Sequence, residues 1–348
     1  MQSAAYPRIN ADGTVTFRVR ADAAHTVAVN LPDFGTVPLV KGEGGFWMGS
    51  TATAVRPGFY YYTVNVDGFV SNDPGSQTFY GYARWGSALE VPDPTATFAA
   101  TRDVPHGVVR EQWYFSKSMN QWRRIRVYTP PSYDTSGTMR YPVLYLQHGN
   151  GENETSWTLQ GRANFILDNL LADKRIRPMI VVFENGMVPS TAAPAAGGRG
   201  GGPAAHAEFD AIVSRDLVPF IDASYRTEAT RESRAIAGLS MGGGQAMRIG
   251  AYHLDMFASI GLFSPAVRNL DPATAYEGRL ADAGAFNRQV RLFWIGIGRQ
   301  DFLYDAVKTT HQNLEKAGIR HVWAETEGAH VWPVWRQYLA DFAPLLFK

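Results

Sequence analysis

Apolar and polar residues alternate along the first quarter of the chain, in short runs such as "TVTFRVRA", "HTVAVNLP" and "FYYYTVNVDGFV". A period of two is typical of strands with one buried face, and Asp-Gly between two such runs is a hairpin signal. Gly and Pro separate the runs at intervals of about ten residues, as in β-sandwiches. Residues 1–92 are therefore predicted to form an all-β, immunoglobulin-like sandwich.

Beyond residue 108 the pattern changes to continuous apolar runs, which are "PVLYLQ", "PMIVVF", "RAIAGL", "ASIGLF" and "RLFWIGIG". Such runs are typical of parallel strands buried on both faces. Helical stretches such as "RANFILDNLLADK" and "DAVKTTHQNLEKAG" lie between them. Residues 108–348 are thus predicted to form an open, mostly parallel α/β sheet with helices on both faces, after a linker at 93–107. Sites in these folds gather at the carboxyl ends of the strands.

Composition narrows the choice of function. Hydrophobic residues make up 45% of the 348, and 33 basic against 32 acidic residues give a net charge of +1. That balance, without runs of like charge or a membrane-length apolar run, argues against nucleic-acid and membrane partners. The absence of cysteine excludes disulfides, thiolate metal sites and a cysteine nucleophile. The start, "MQSAAYPRIN", lacks signal-peptide features, so we expect either a cytosolic protein or one whose signal has been replaced.

Residues 186–206, "GMVPSTAAPAAGGRGGGPAAH", are rich in Gly, Ala and Pro and follow a predicted strand. No Gly-Lys-Ser/Thr follows the glycines, so this is not a phosphate-binding loop. We expect a flexible surface loop, and a mobile lid over the site is the alternative.

Ser240 stands between Gly238 and Gly242, where the apolar "RAIA" meets the predicted helix "GGGQAMRIGAYH". Gly-x-Ser-x-Gly between a strand and a helix is the pattern of the nucleophile elbow, a sharp turn that exposes the serine hydroxyl. Because this five-residue pattern also occurs by chance, the prediction depends on finding the partners of the serine.

A nucleophilic serine needs a histidine base and a carboxylate that orients it, in the order Ser, Asp or Glu, His along the chain. Of the downstream histidines, His253 and His311 fall on predicted helices and His321 opens a strand, whereas His330 follows one. Asp301 directly follows the run "RLFWIGIG". The alternatives are Asp305, better placed as a helix N-terminal charge, and Glu327, too close to His330 in the chain.

An oxyanion hole requires two backbone N–H groups aimed at the developing negative charge. Met241, the residue after the candidate nucleophile, supplies one. The other is assigned to Asn150, where Gly149 and Gly151 leave room for the backbone. His148 is read as a structural residue that braces this loop. No metal or cofactor is required by this chemistry.

The motifs "RAIAGLSMGGGQ", "GRQDF", "GAHVWPVW" and "HGNGENETSW" resemble those of the feruloyl esterases of carbohydrate esterase family one. The likeness covers roughly residues 108–347 and implies an α/β-hydrolase fold with Ser240, Asp301 and His330 as the catalytic triad. These enzymes belong to the wider esterase D group, which also holds enterochelin esterases, acetyl xylan esterases and mycolyltransferases.

In the first part of the chain, "RPGFYYYTVNVDG" and "SNDPGS" resemble the early-set domains of carbohydrate-binding module family 48. Aromatic residues there are candidates for sugar stacking, although core packing is the more expected role: Trp47, Tyr61, Tyr80, Tyr82 and Trp85.

The expected activity is therefore release of ferulic or a related acid from a feruloylated plant polysaccharide, in a secreted or periplasmic setting. Substrate contacts are assigned to residues that flank the motifs: Gly149, Trp157, Phe302, Trp332 and Trp335. Trp332 and Trp335 are alternatively anchors of the last helix. Other readings are an acetyl xylan esterase, an enterochelin-type esterase, for which Arg199 and Arg299 are the obvious cations, and a sugar-binding protein with an inactive hydrolase half.

Overall fold

The computed structural model describes residues 5–188 and 203–348. The chain divides into two compact units, Met1–Thr97 and Phe98–Lys348, so the division falls inside the segment 93–107 that the sequence predicts as a linker. The second half of this segment packs on the second unit, because the Asn169 amide donates to the carbonyl oxygens of Phe98 and Ala100 at 2.9 and 2.8 Å. Within the described ranges, every helix is too short or too polar to cross a membrane.

The first unit is built from antiparallel strands. They are β1 (Arg8–Ile9), β2 (Val15–Arg20), β3 (Val27–Leu31), β4 (Gly35–Lys41), β5 (Phe46–Ser50), β6 (Gly58–Val66), β7 (Phe69–Ser71), β8 (Thr78–Gly81) and β9 (Arg84–Val91). They pair in the order β1-β2-β5-β4-β3-β6-β9-β8, and β7 pairs with β6. The hairpin predicted at Asp67-Gly68 is present: both residues have positive φ, 50° and 90°, and Val66 pairs with Phe69 across them.

The core of this unit consists of the alternating apolar residues of its strands, among them Phe17, Val29 and Val64. Trp47 belongs to this core, and its indole N–H donates to the Ala21 carbonyl oxygen at 2.9 Å. The other aromatic residues considered for sugar stacking divide by exposure: Tyr61 and Tyr80 are half-buried, and Tyr82 and Trp85 are exposed.

The second unit contains one sheet of eight strands. They are β10 (Val108–Ser116), β11 (Gln121–Thr129), β12 (Val143–Gln147), β13 (Ile180–Glu184), β14 (Arg234–Leu239), β15 (Ser259–Phe263), β16 (Leu292–Gly298) and β17 (Val322–Thr326). Their order is β10-β11-β13-β12-β14-β15-β16-β17. The strands from β13 to β17 are parallel, and β10 and β11 form an antiparallel hairpin at the edge.

The described helices of this unit are α1 (Ala163–Ala172), α2 (Pro203–Ala211), α3 (Val218–Ser224), α4 (Ser240–Tyr252), α5 (Ala275–Gly278), α6 (Ala283–Gln289), α7 (Tyr304–Lys316) and α8 (Trp332–Phe342). A π-helical stretch at Ile212–Leu217 joins α2 to α3. Helices α4 and α8 cover opposite faces of the sheet. In β15, Ile260 faces α4, because a Cβ on Gly250 of α4 would lie 2.5 Å from it. Gly261, the next residue of β15, faces the other side, where its Cβ would lie 2.7 Å from Phe342 of α8.

Of the predicted glycine-rich loop, residues 186–188 are described and α2 begins at Pro203. The prediction of a surface loop or lid otherwise falls on residues 189–202, which lie outside the described residues.

Register determines which loops meet at the carboxyl edge of the sheet. Gln147 at the end of β12 pairs with Gly238 of β14, so the chain leaves these neighbouring strands side by side. Gly298 at the end of β16 pairs with Thr326 at the end of β17, so the chain also leaves these two strands side by side. In the sheet, β16 lies two strands from β14. Four of the loops singled out in the sequence therefore emerge at one edge.

Candidate active site

Ser240 occupies a sharp turn between β14 and α4. Its φ is +73°, a left-handed conformation that costs a non-glycine residue about 1–3 kcal/mol. Close packing explains the flanking glycines: a Cβ on Gly238 would lie 2.5 Å from the Gly242 carbonyl group, and one on Gly242 would lie 2.5 Å from the His148 oxygen. The turn thus has the geometry of a nucleophile elbow.

His330 lies between Ser240 and Asp301 and contacts both. Its Nε2 is 2.9 Å from the Ser240 Oγ, and its Nδ1 is 2.7 Å from the Asp301 Oδ2. The carboxylate is buried, whereas the imidazole and the serine are half-buried. These distances allow Nδ1–H to donate to the aspartate while Nε2 accepts the serine proton.

The surroundings of Asp301 keep its carboxyl group ionised. Burial acts to raise its pKa, but hydrogen bonds from His330 and from the Leu303 N–H, at 2.9 Å, outweigh burial and hold the pKa below its usual value. The buried Ser264 hydroxyl, which the sequence analysis did not single out, acts in the same direction.

His148 has a structural role in the loop after β12. Its Nδ1 donates to the Gly149 carbonyl oxygen at 2.7 Å, and its Nε2 accepts the Gly186 N–H at 2.9 Å. Burial lowers the pKa of His148 to about 4, so the ring is neutral and its proton is on Nδ1. The histidine therefore ties the loop after β12 to the loop after β13.

Gly149 lies against the nucleophile. A Cβ there would be 3.6 Å from the Ser240 Cβ and 2.5 Å from a Leu239 methyl group. Its N–H donates to the Glu152 carboxyl group at 2.9 Å, and the next residue, Asn150, is exposed. Met241 lies in the first turn of α4, where backbone N–H groups have no partner within the helix.

Glu152 is a second residue of this site that sequence reasoning missed. Its buried carboxyl group accepts the Gly149 N–H and lies in hydrogen-bonding contact with the Trp332 indole. Burial raises its pKa to about 8. In the sequence it is one of two glutamates in a polar loop, and no pattern there indicates that both of them are buried.

The aromatic residues assigned to substrate contact lie at different depths. Trp157 and Trp332 are buried with ring centroids 5.3 Å apart, and Trp157 donates its indole N–H to the Gln147 oxygen at 2.9 Å. Trp335 is also buried, 4.9 Å from the His330 ring. Phe302, 74% exposed and 4.7 Å from the same ring, is the one of the four at the surface. The assignment of the three tryptophans to substrate contact stays a prediction, and the structure shows their rings in buried packing next to the site.

The remaining candidates make other contacts. His253 lies 2.5 Å from an Asp210 oxygen, and His311 lies 2.8 Å from His321. Arg299 forms ion pairs with Glu325 and Glu327, at 2.8 and 3.2 Å. Arg199 lies outside the described residues, and among those described no cluster of His, Asp and Glu could hold a metal ion.

Comparisons with known proteins identify the family of this chain. Residues 116–346 match the family described as "Putative esterase". An endo-1,4-beta-xylanase/feruloyl esterase of Xylanibacter ruminicola is 36% identical over 99% of this chain and 46% of its own length. The chain spans about half the length of the first curated relatives it matches.

Two solved structures show the same fold. A ferulic acid esterase of Anaeromyces mucronatus in complex with ferulic acid has a TM-score of 0.63 at 23% identity, over 74% of this chain and 98% of its own. The enterobactin esterase of Shigella flexneri has a TM-score of 0.62 at 17% identity, over 97% of this chain and 94% of its own.

Proposed function

The chain belongs to the family of putative esterases, and on that premise we propose that it is a serine esterase that releases ferulic or a related hydroxycinnamic acid from esterified plant cell-wall polysaccharide such as arabinoxylan. The observation that carries the proposal is the hydrogen-bonded series Ser240–His330–Asp301. We assign Ser240 as the nucleophile, His330 as the general base and acid, and Asp301 as the residue that orients the imidazole.

In the first half of the reaction, His330 Nε2 takes the Ser240 proton as Oγ attacks the ester carbonyl carbon. The tetrahedral intermediate collapses when the same proton passes to the leaving sugar oxygen, which leaves an acyl group on Ser240. Water then attacks this acyl group while His330 takes its proton, and the second tetrahedral intermediate collapses as His330 returns that proton to Ser240 Oγ and the acid is released. Asp301 stays ionised throughout and stabilises the imidazolium.

We assign the oxyanion hole to the N–H groups of Met241 and Asn150. The position of Met241 in the first turn of α4 supports the first assignment, because the dipole of that helix also favours negative charge there. The use of the Gly149 N–H by Glu152 supports the second. Such donors contribute about 3–4 kcal/mol each to transition-state stabilisation.

The substrate class is supported by the relative from Xylanibacter ruminicola, which carries both xylanase and feruloyl esterase in its name. Phe302 suits contact with an aromatic acyl group, because its exposed ring lies against His330. The tryptophans Trp157, Trp332 and Trp335 then hold the site from beneath.

An enterochelin-type esterase is the second candidate, favoured by the fold match to the Shigella flexneri enzyme over nearly the whole chain. A triscatecholate substrate would need cations near Ser240, and the charge of Arg299 is already paired with two glutamates. That pairing favours the polysaccharide ester.

We further propose that the first unit is an immunoglobulin-like sandwich that contacts glycan. Its antiparallel ladder and its single core support the fold, and the exposed rings of Tyr82 and Trp85 support the contact. A polymeric substrate also implies action outside the cytoplasm, in a secreted or periplasmic setting.

Hydrolysis of methyl ferulate, acetylated xylan and a triscatecholate ester, measured side by side, tests the proposal. We expect methyl ferulate to be the best of the three and Ser240→Ala to abolish its turnover and the labelling by a fluorophosphonate probe. Ser224→Ala, which removes an exposed hydroxyl of α3, is the matched control and should retain both. Full activity of Ser240→Ala would refute the mechanism, and labelling without hydrolysis of any ester would refute the substrate class.

A further inference from the structure

Three large aromatic side chains project from one face of the β10–β11 hairpin. Trp113, Phe115 and Trp122 are 55%, 44% and 64% exposed. Trp113 and Phe115 are two residues apart in β10, and Trp122 of β11 pairs directly with Phe115, so the three share a side of the hairpin. Tyr114 and Ile125, on the opposite side, are buried. We call the three exposed rings the aromatic face.

The aromatic face lies at the same edge of the sheet as the nucleophile. Because β11 is antiparallel to β13, its pairing of Ile125 with Glu184 places the start of β11 beyond the carboxyl end of β13. Trp122, and Phe115 opposite to it, therefore lie past the end of the parallel strands. Ser240 also follows the carboxyl end of its strand.

Two arginines connect the aromatic face to the loop after β12. Arg124, which pairs with Trp113, donates from Nε to the buried Glu154 at 2.6 Å. Arg126, two residues further along β11 and on the same side of the hairpin as Arg124, donates to the Thr158 hydroxyl at 2.8 Å. Glu154 and Thr158 belong to the loop that begins with Gly149 against Ser240. The hairpin is thus held directly to the loop that contacts the nucleophile.

We propose that the aromatic face binds the sugar backbone of the polysaccharide whose ester is cleaved at Ser240, an inference that rests on the proposed function. Exposed clusters of large apolar rings mark interaction sites, because their exposure to water is unfavourable. The C–H faces of sugar rings stack on such aromatic rings, and the flanking Arg124 and Glu111, 3.6 Å apart, offer a donor and an acceptor to sugar hydroxyl groups. A polymer tethered by its ester must also lie on the surface that adjoins the site.

A comparison of two ferulate esters tests the inference, since only one of them carries sugar. We expect the double variant Trp113→Ala/Trp122→Ala to raise KM for a feruloylated arabinoxylan oligosaccharide about tenfold or more. Its kcat/KM for methyl ferulate should stay within about twofold of the parent, because the aromatic face does not contact the reacting atoms. Met139→Ala, which trims an exposed apolar side chain elsewhere in the unit, is the matched control and should change neither.

Binding of unesterified arabinoxylan oligosaccharide to Ser240→Ala, measured by calorimetry, tests the aromatic face without any hydrolysis. The two tryptophan substitutions added to that protein should weaken binding about tenfold. An unchanged KM for the oligosaccharide, an equal loss on methyl ferulate, or a parent dimer that the substitutions dissociate in ultracentrifugation would each overturn the inference. Failure of the parent to cleave methyl ferulate would instead contradict the proposed function, and the binding measurement would still decide on the aromatic face.

Discussion

Glu152→Gln removes a buried ionisable group while keeping the shape of the side chain. The folded carboxyl group retains its proton up to about pH 8, whereas in the unfolded chain it loses the proton near the ordinary value of 4.5. Between these two pH values the folded state binds more protons than the unfolded state, so the free energy of unfolding falls as pH rises. Above about pH 8 both states are ionised and the loss is complete.

The size of this effect follows from the two pKa values of Glu152. A pKa difference of one corresponds to about 1.36 kcal/mol, so the parent loses about 3 kcal/mol by pH 7 and about 5 kcal/mol above pH 8. The glutamine variant has no such loss. Any difference in strength between its contacts with Gly149 and Trp332 and those of the protonated glutamate is independent of pH below about pH 8, so it does not affect the trend.

Calorimetric unfolding of the two proteins at intervals from pH 5 to pH 9 measures the effect. The unfolding temperature of Glu152→Gln should rise relative to that of the parent as pH increases, by about 2–4 °C for each kcal/mol of unfolding free energy that the parent loses. Glu277→Gln, which replaces an exposed glutamate of the same unit, should show a constant difference over this range. Parallel curves for Glu152→Gln and the parent would refute the assignment of a buried, protonated carboxyl group.

Two further substitutions test the neighbouring charges. Asp301→Asn should lower kcat for methyl ferulate about 10⁴-fold with little change in KM, because an amide neither fixes the tautomer of His330 nor stabilises its positive form; steady-state kinetics would contradict this with a loss below about tenfold. Arg123→Met should destabilise the second unit by about 3–5 kcal/mol, because it strands the buried carboxylate of Glu184, 2.5 Å away. Addition of Glu184→Leu should restore most of that stability in calorimetry, and no recovery would contradict the ion-pair explanation.

The candidate triad could be placed from the sequence because each member comes shortly after a predicted strand. Ser240, Asp301 and His330 come after β14, β16 and β17, and parallel strands bring their carboxyl ends to one edge whatever the details of packing. The same reasoning selected the loop at Gly149. Chain order and strand ends are local properties of the sequence, and they are sufficient to predict these placements.

Burial of polar groups could not be read in the same way. Glu152 is buried because Trp332, far along the chain, lies against it. Arg123 can be buried because its charge is paired with Glu184, which comes from a different strand. The depth of Trp157 likewise depends on Trp332. The exposure of Trp113 arises because no described segment covers that side of the edge hairpin. These properties depend on contacts between distant segments, which periodicity does not report.

The pairing of strand ends divides the proposed catalytic machinery into two halves. One ladder, β12 with β14, holds Gly149 and Ser240, and another, β16 with β17, holds Asp301 and His330. Only β15 separates the two ladders. The spacing across β15 therefore sets the distance between the nucleophile and its base. The rate of turnover therefore depends on the geometry of the sheet. Changes in packing around Gly261, which lies in β15, should change kcat although this residue is remote from the substrate.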